Sequence, residues 1–373
     1  MRLERLLAVA RKEVWELKRD PFLVRIVVLL PVVMLLLFGY AINFTFRHMP
    51  LAVLDHAQDR TSRILIGELT RDEAFRPFRV PDRASLEEAI RLGRAWAGIE
   101  IPKGMLEKLR RKKTVRLRVW IDGSYPVAAF QVQARLRQAV ARFNARVLGG
   151  WSLVEQVRPP PVSLDLKILY NPELKTTIYM IPGVVGLILT QIAVLLTALV
   201  IVRERETGML EALLSTPIRP LEVVAGKVLP YLILSGLDAA LVLWLGMVIF
   251  KVPMRGSWAL LSAFLFFFVL GSLGVGILVS TRTRTQIQAI FAGMVYYLPA
   301  IFFSGLFFPI EGMPKLLQWL TYLVPLRYFL EAARGIMLKG LGIEALWFPL
   351  VAMVIFGVGT LLLGALSFQK RLG

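Results

Sequence analysis

The residues best placed to do chemistry in this chain form one short polar segment, Arg203-Glu204-Arg205-Glu206-Thr207-Gly208-Met209-Leu210-Glu211-Ala212-Leu213-Leu214-Ser215-Thr216-Pro217. Its charges give way to apolar residues at helical spacing. Met209, Leu210, Leu213 and Leu214 then share one face, and Glu204, Arg205, Glu206 and Glu211 are left to water or a partner. Gly208 relaxes the backbone near the helix start and Pro217 stops it. This is the chemistry of docking rather than of bond breaking. Such a helix can carry a push from a partner protein into the apolar runs on either side; it can equally lie on a membrane surface as an ordinary amphipathic loop helix.

Bond-breaking chemistry has little to build on elsewhere. No G-x-x-x-x-G-K-[ST] stretch cradles a nucleotide's phosphates, and Gly226-Lys227 lacks the upstream glycine. H-E-x-x-H and G-x-S-x-G are absent. With no cysteine, disulfide and thiolate chemistry are excluded. With only His48 and His56, a histidine-built metal site is not expected. The expectation is a chain that is not itself an enzyme, with no catalytic residue, metal or cofactor of its own.

The elements that position the segment are long and apolar. The chain has 373 residues and is 56% hydrophobic. A helix crosses the bilayer's hydrocarbon with about 20 residues. Six runs qualify: 22–44, 177–202, 228–250, 258–280, 287–309 and 345–367. The fold class expected is a polytopic α-helical membrane protein of six spans, with an α/β extracytoplasmic domain inserted after the first. Lys and Arg near span ends set the orientation. Arg2, Arg5, Arg11, Lys12, Lys18 and Arg19, the loops with Arg203, Arg205 and Arg219 and with Arg282 and Arg284, and the tail with Lys370 and Arg371 fall on one side. Both termini are therefore expected in the cytoplasm; Lys251 and Arg255 are the exceptions.

The division expected is a cytoplasmic amphipathic interfacial helix over 1–21, a first span over 22–46, an extracytoplasmic α/β domain over 47–175, and a five-span domain over 176–373. The last includes the charged helix (204–216) and a region of short re-entrant or interfacial helices (304–344). There Pro309, Pro314 and Pro325 interrupt an apolar stretch before any piece is long enough to span. In the α/β domain, strands are expected at Leu51–Asp55, Phe75–Val80, Ala95–Ile101 and Val115–Ile121. Helices are expected at Arg60–Thr70, Ser85–Leu92, Gly104–Arg110 and Pro126–Leu148. Ser85 with Glu88 reads as a capping box. Residues 45–175 hold 24 Lys/Arg against 14 Asp/Glu, a net +10 that suits a solvated basic surface or an anionic partner.

Within the spans, Asp238 is the clear mid-membrane acid. It could carry a proton or cation, or it could lie nearer an interface and bond Ser235 or a neighbouring helix. Gln191, Thr197, Gln286 and Gln288 could face a pathway or join helices. Gly271, Gly274 and Gly276 read as close-packing sites.

The segment 203–217, with Gly226-Lys227 after it, resembles the membrane subunits of type-2 ATP-binding-cassette (ABC) exporters, whose pattern is E-R-E-x-G-T-x-E-x-L-x-x-[ST]-P and then G-K. Met209 stands where the pattern has Thr. Tyr170-Asn171-Pro172-Glu173 before Ile181-Pro182-Gly183 is similar to the subgroup with a large external domain. Ile101-Pro102-Lys103-Gly104 and Asp122-Gly123-Ser124-Tyr125-Pro126 resemble that domain's signatures. Phe308–Pro314, Pro325-Leu326-Arg327-Tyr328-Phe329 and Arg334-Gly335 resemble the family's re-entrant region.

The resemblance implies a coupling helix that docks on an ABC ATPase subunit, with Arg203, Glu204, Arg205, Glu206, Gly208, Glu211, Leu214 and Pro217 as its contact residues. It implies two ATPase copies carrying ATP and Mg, a second permease copy or paralogue, and the N-terminal helix as a further ATPase contact. It implies a prokaryotic cytoplasmic membrane and outward movement of an amphipathic, lipid-like or drug-like substrate. An outer-envelope or periplasmic partner could meet the external domain; nucleic acid is not expected. The alternative is a membrane receptor or envelope tether that acts through its extracytoplasmic domain.

Overall fold

The computed structural model describes residues 46–148, 161–209, 220–307, 310 and 313–369. The expected interfacial helix and first span, and residues 210–217 of the charged segment, lie outside the described residues.

An α/β domain comes first. β1 (Met49–Asp55) is followed by α1 (Arg60–Thr70), β2 (Phe75–Arg79), α2 (Arg83–Arg91), β3 (Ala97–Ile101), α3 (Met105–Arg110), β4 (Val115–Asp122), α4 (Pro126–Leu148) and β5 (Val162–Leu169). The sheet order is β2-β1-β3-β4-β5. β1 is parallel to β2 and β3, β3 and β4 are antiparallel, and β4 and β5 are parallel. One sheet face, with Leu51, Val53, Ile99, Leu117 and Val119, packs on Leu65 and Leu69 of α1 and Leu136, Val140 and Phe143 of α4. The other face, with Ala52, Leu54 and Trp120, packs on Leu86, Ala89 and Ile90 of α2. This two-period pattern was readable strand by strand, except that β5 goes beyond the four strands expected. Its V-S-L-D-L-K-I alternation is the period of a half-buried strand.

The cap of α2 differs from the expected one. Asp82, not Ser85, is the N-cap, and its carboxylate accepts from the Ser85 backbone N–H at 2.7 Å. That bond holds the Asp82 carboxyl below its ordinary pKa.

Asn171 turns the chain from β5 into the membrane part. Its buried side chain accepts from the Lys175 N–H and donates to the Lys175 carbonyl, each at 3.0 Å. Among the described residues, five helices long and apolar enough to span follow: α5 (Thr176–Glu206), α6 (Pro220–Phe250), α7 (Trp258–Arg282), α8 (Gln286–Phe303) and, after the short α9 (Lys315–Thr321) and α10 (Pro325–Arg334), α11 (Ile343–Gln369). Pro325 occupies the first turn of α10, where its missing N–H costs nothing. A π-helical turn, Gly335–Lys339, extends α10.

α7 is the centre of the bundle, with Phe264 and Phe268 fully buried and Phe268 stacked on Phe329 of α10 at 4.6 Å. Glycines let its neighbours approach. A Cβ on Gly274 would meet the Leu361 nitrogen and Thr360 carbonyl carbon of α11 at 2.6 and 2.7 Å, and one on Gly276 would meet the Thr197 Cβ of α5 at 2.8 Å. Thr360 Oγ1 donates to the Gly271 carbonyl at 3.0 Å across the same contact. The close-packing role expected of these glycines is what the structure shows.

Between domain and bundle runs a seam of ring and charge contacts. Tyr125 stacks on Tyr179 at 4.7 Å, and the Arg334 guanidinium lies 3.6 Å over the other ring of that pair, Tyr179. Lys339 pairs with Asp122, and Arg255 and Lys339 both face the Tyr170 ring. Burial, with the Asp122 carboxylate adding, pushes the Tyr170 phenol up to about 12, so the ring stays neutral between these cations.

Gly274→Val should lower stability by about 1–3 kcal/mol, because α11 has to move away to admit the side chain. Thermal unfolding of the detergent-solubilised chain measures this. Gly359→Ala, where an added Cβ meets open space, should leave the transition in place.

Candidate functional site

α5 ends in the charged segment. Thr207 caps it, with its N–H donating to the Arg203 carbonyl at 3.0 Å, and Gly208 follows at φ +73°, the left-handed conformation that closes helices. Arg203, Glu204, Arg205 and Glu206 therefore complete the span helix itself rather than begin a new one. This modifies the expected 204–216 helix at its start: Gly208 is the stop of α5, because the apolar run feeds straight into the charges without a breaker. Arg203 and Glu206 are exposed and Glu204 half-buried; Met209 is 62% exposed. Glu211, Leu214 and Pro217 lie outside the described residues.

Two consecutive side chains tie this end to α7 and α8. α7 stops at Arg282 with Thr283 in extended conformation, which leaves carbonyls without helical partners. Arg205 Nη1 donates to two of them, Ser280 O at 3.0 Å and Thr283 O at 2.9 Å. A cation at a helix C-terminus also matches the backbone dipole. Glu206 does the converse at the start of α8: it accepts from the Gln286 backbone N–H at 3.0 Å and from Gln286 Nε2 at 2.5 Å. An anion at a helix N-terminus again matches the dipole. The ends of α5, α7 and α8 are thus one hydrogen-bonded junction, at the end of the bundle away from the α/β domain.

The polar residues suspected of lining a pathway are placed variously. Gln286 is held by Glu206. Gln288 caps α8: its N–H donates to Thr285 Oγ1 at 3.2 Å, and its Oε1 accepts from the Arg284 N–H at 2.9 Å. The T-x-x-Q spacing of Thr285 and Gln288 is a capping-box signal that could have been read. Gln191 is exposed on α5, while Thr197 is buried beside Gly276. Asp238, half-buried on α6, makes no bond with Ser235, whose buried hydroxyl has no hydrogen-bond partner among the described residues. The structure does not gather Gln191, Thr197 and Asp238 with Gln286 and Gln288: the last two sit in the junction. Sequence reasoning missed Ser280 and Thr283, which contribute only their carbonyls; side-chain type carries no signal for that.

Residues 22–366 match a protein-family model described as "ABC-2 family transporter protein". The chain is similar to the "Probable multidrug ABC transporter permease YbhS" of Escherichia coli (strain K12), 30% identical over 346 residues that cover 90% of this chain and 89% of that one. It is similar to YbhR, which carries the same description in that organism, at 28% over 359 residues, 95% and 96% of the two chains. It is also similar to the "Inner membrane transport permease YhhJ", at 25% over 334 residues, 87% and 86%.

Arg205→Met removes both carbonyl contacts and should cost about 1.5–3 kcal/mol, the worth of hydrogen bonds to a charged group. The expected outcome is a lower unfolding temperature, with hydrogen exchange rising first at the end of α7.

Proposed function

The chain belongs to the ABC-2 family of transporter proteins, as a multi-pass permease subunit whose ATPase activity lies in a separate subunit, and from that premise we propose that residues 203–217 couple ATP hydrolysis to export. The observation that carries the reading is the three-helix junction. A force applied just beyond Gly208 reaches α5 through the chain, α7 through Arg205 and α8 through Glu206. Exposed Met209 begins the apolar face that a groove on the ATPase would receive. The segment lies in the cytoplasm, with both termini, as the Lys and Arg distribution supports. Two ATPase copies, each with ATP and Mg, and two permease chains make the complete machine. ATP binding closes the ATPases, moves the two coupling segments and shifts the spans between inward- and outward-facing states.

The substrate is an amphipathic, drug-like or lipid-like molecule. Two relatives named as probable multidrug permeases support this, as do the apolar and aromatic side chains that the spans expose, Trp244, Trp258 and Phe266 among them. Gln191, exposed on α5, and half-buried Asp238 are intramembrane polar groups open to such a substrate, whereas Thr197 is taken up in helix packing.

Met209→Glu and Glu211→Lys, each co-expressed with the partner ATPase, should cut transport-linked ATP hydrolysis at least about tenfold, a loss of about 1.4 kcal/mol in coupling. The permease's own unfolding temperature should not move. Unchanged assembly and unchanged hydrolysis in both variants would sink the coupling assignment.

A further inference from the structure

The loops that leave β1 and β2 go to opposite faces of the sheet. β1 runs into α1, which packs on the face of Leu51 and Val53, and β2 runs into α2, which packs on the face of Ala52 and Leu54. The two strands are parallel neighbours, so a gap opens between the loops at their carboxyl ends. In a sheet of parallel strands such a crevice is where ligands bind. A cavity of about 380 Å³ occupies it, within the range of about 300–1,000 Å³ usual for small-molecule sites. Val53, Asp55 and Gln58 line it from β1 and the loop after it, Arg79 and Val80 from the end of β2, and Lys103 from the loop after β3. β3 starts beside the end of antiparallel β4, where Asp122 meets Lys339. The cavity therefore lies at the end of the domain away from the bundle, remote from both seam and junction.

Most polar groups in this lining are unspent. The side chains of Arg79, Lys103 and Gln58 have no hydrogen bond or ion pair among the described residues. All three are exposed, so an occupant replaces water at them and breaks no protein contact. Asp55 is half-buried and fixed. Its Oδ1 accepts from the Ala57 and Gln58 N–H groups, each at 3.0 Å, and its Oδ2 accepts from the Ser62 hydroxyl at 2.8 Å. A carboxylate has about four acceptor positions, so one stays open on Oδ2. His56, also in the lining, has its Nε2 3.7 Å from Glu100 Oε1.

Two cations against one carboxylate leave a single positive charge, which a monoanion balances and a phosphate dianion exceeds. The arginine fork matches the two oxygens of a carboxylate. The Gln58 carboxamide and the open position on Asp55 suit hydroxyl groups, which both donate and accept. We propose that this crevice binds a small hydroxycarboxylate, with its carboxylate between Arg79 and Lys103 and its hydroxyls on Gln58 and Asp55. The site is independent of the coupling assignment, because its occupation needs neither ATP nor the ATPase.

The full chain in phosphatidylcholine nanodiscs would be titrated with lactate, gluconate and glucuronate, with binding read by calorimetry. Saturable binding of at least one of them is expected. Arg79→Gln and Lys103→Gln, both at exposed positions, should each weaken it about tenfold or more, as loss of a charge-assisted hydrogen bond does. The unfolding temperature should stay in place. Arg137→Gln, an equal loss of charge on the exposed side of α4, should leave binding unchanged. Hexanoate has the charge without hydroxyls and glucose has hydroxyls without the charge; each should bind at least about tenfold more weakly. Saturable binding of none of the three acids, or binding that neither cavity variant weakens, would overturn the proposal. So would inorganic phosphate bound as tightly as the best acid, the sign of a general attraction of anions to a basic surface.

Discussion

Helix ends inside or beside a membrane leave backbone groups that water satisfies poorly, and the structure depends on how those groups are paired. Arg205 and Glu206 pair two such ends from adjacent positions on a third helix. The arginine takes the carbonyls at the end of α7 and the glutamate takes the first amide of α8. Neighbouring residues on a helix point in different directions. One helix terminus can therefore reach both sides of the short turn at Thr283–Thr285. The signs are not interchangeable, because a C-terminus needs a donor and an N-terminus an acceptor.

α5 carries this junction at one end and the seam at the other. Thirty-one residues of helix extend about 45 Å. Tyr179, near its start, stacks on Tyr125 of the α/β domain and accepts Arg334 on its face. Arg205, near its end, holds α7. The same rod thus meets the outer domain, the short helix α10 and the junction. α7 lies against it through Gly276 and against α11 through Gly271 and Gly274, at distances that admit no Cβ. Close backbone approach gives the bundle dispersion contacts where lipid-facing side chains gain nothing from burial. A displacement of α5 therefore meets packed backbone rather than soft side chains.

The motifs that resemble a family turn out to be largely joints. Asn171 staples the elbow between β5 and α5. Gly123 passes so close to Ile168, Leu169 and Asn171 that a Cβ would lie 2.5–2.8 Å from them, and Asp122 beside it anchors the Lys339 ammonium. Pro325 starts α10, and Arg334 and Gly335 lie where that helix passes into the π-helical turn beside the seam. The residues that define the fold's connections are those that a motif can carry, because their geometry tolerates few substitutes.

The sequence by itself determined the apolar spans, the alternating strands and helices of the outer domain and the charged segment after α5. Those depend on periodicity and composition within a few dozen residues. It also determined which glycines could let helices close on one another. Only the tertiary structure decided that Asp82 rather than Ser85 caps α2, that Glu204 to Glu206 finish a span, and that Gln286 and Gln288 serve a helix start. It also decided that Lys339 meets Asp122 and that Arg334 lies over the Tyr179 ring. Arg205 and Thr283 are 78 residues apart, and Lys339 and Asp122 are 217 apart. Their partners include bare carbonyls and a distant carboxylate. Local pattern cannot select such partners, because the chain must fold before they become neighbours.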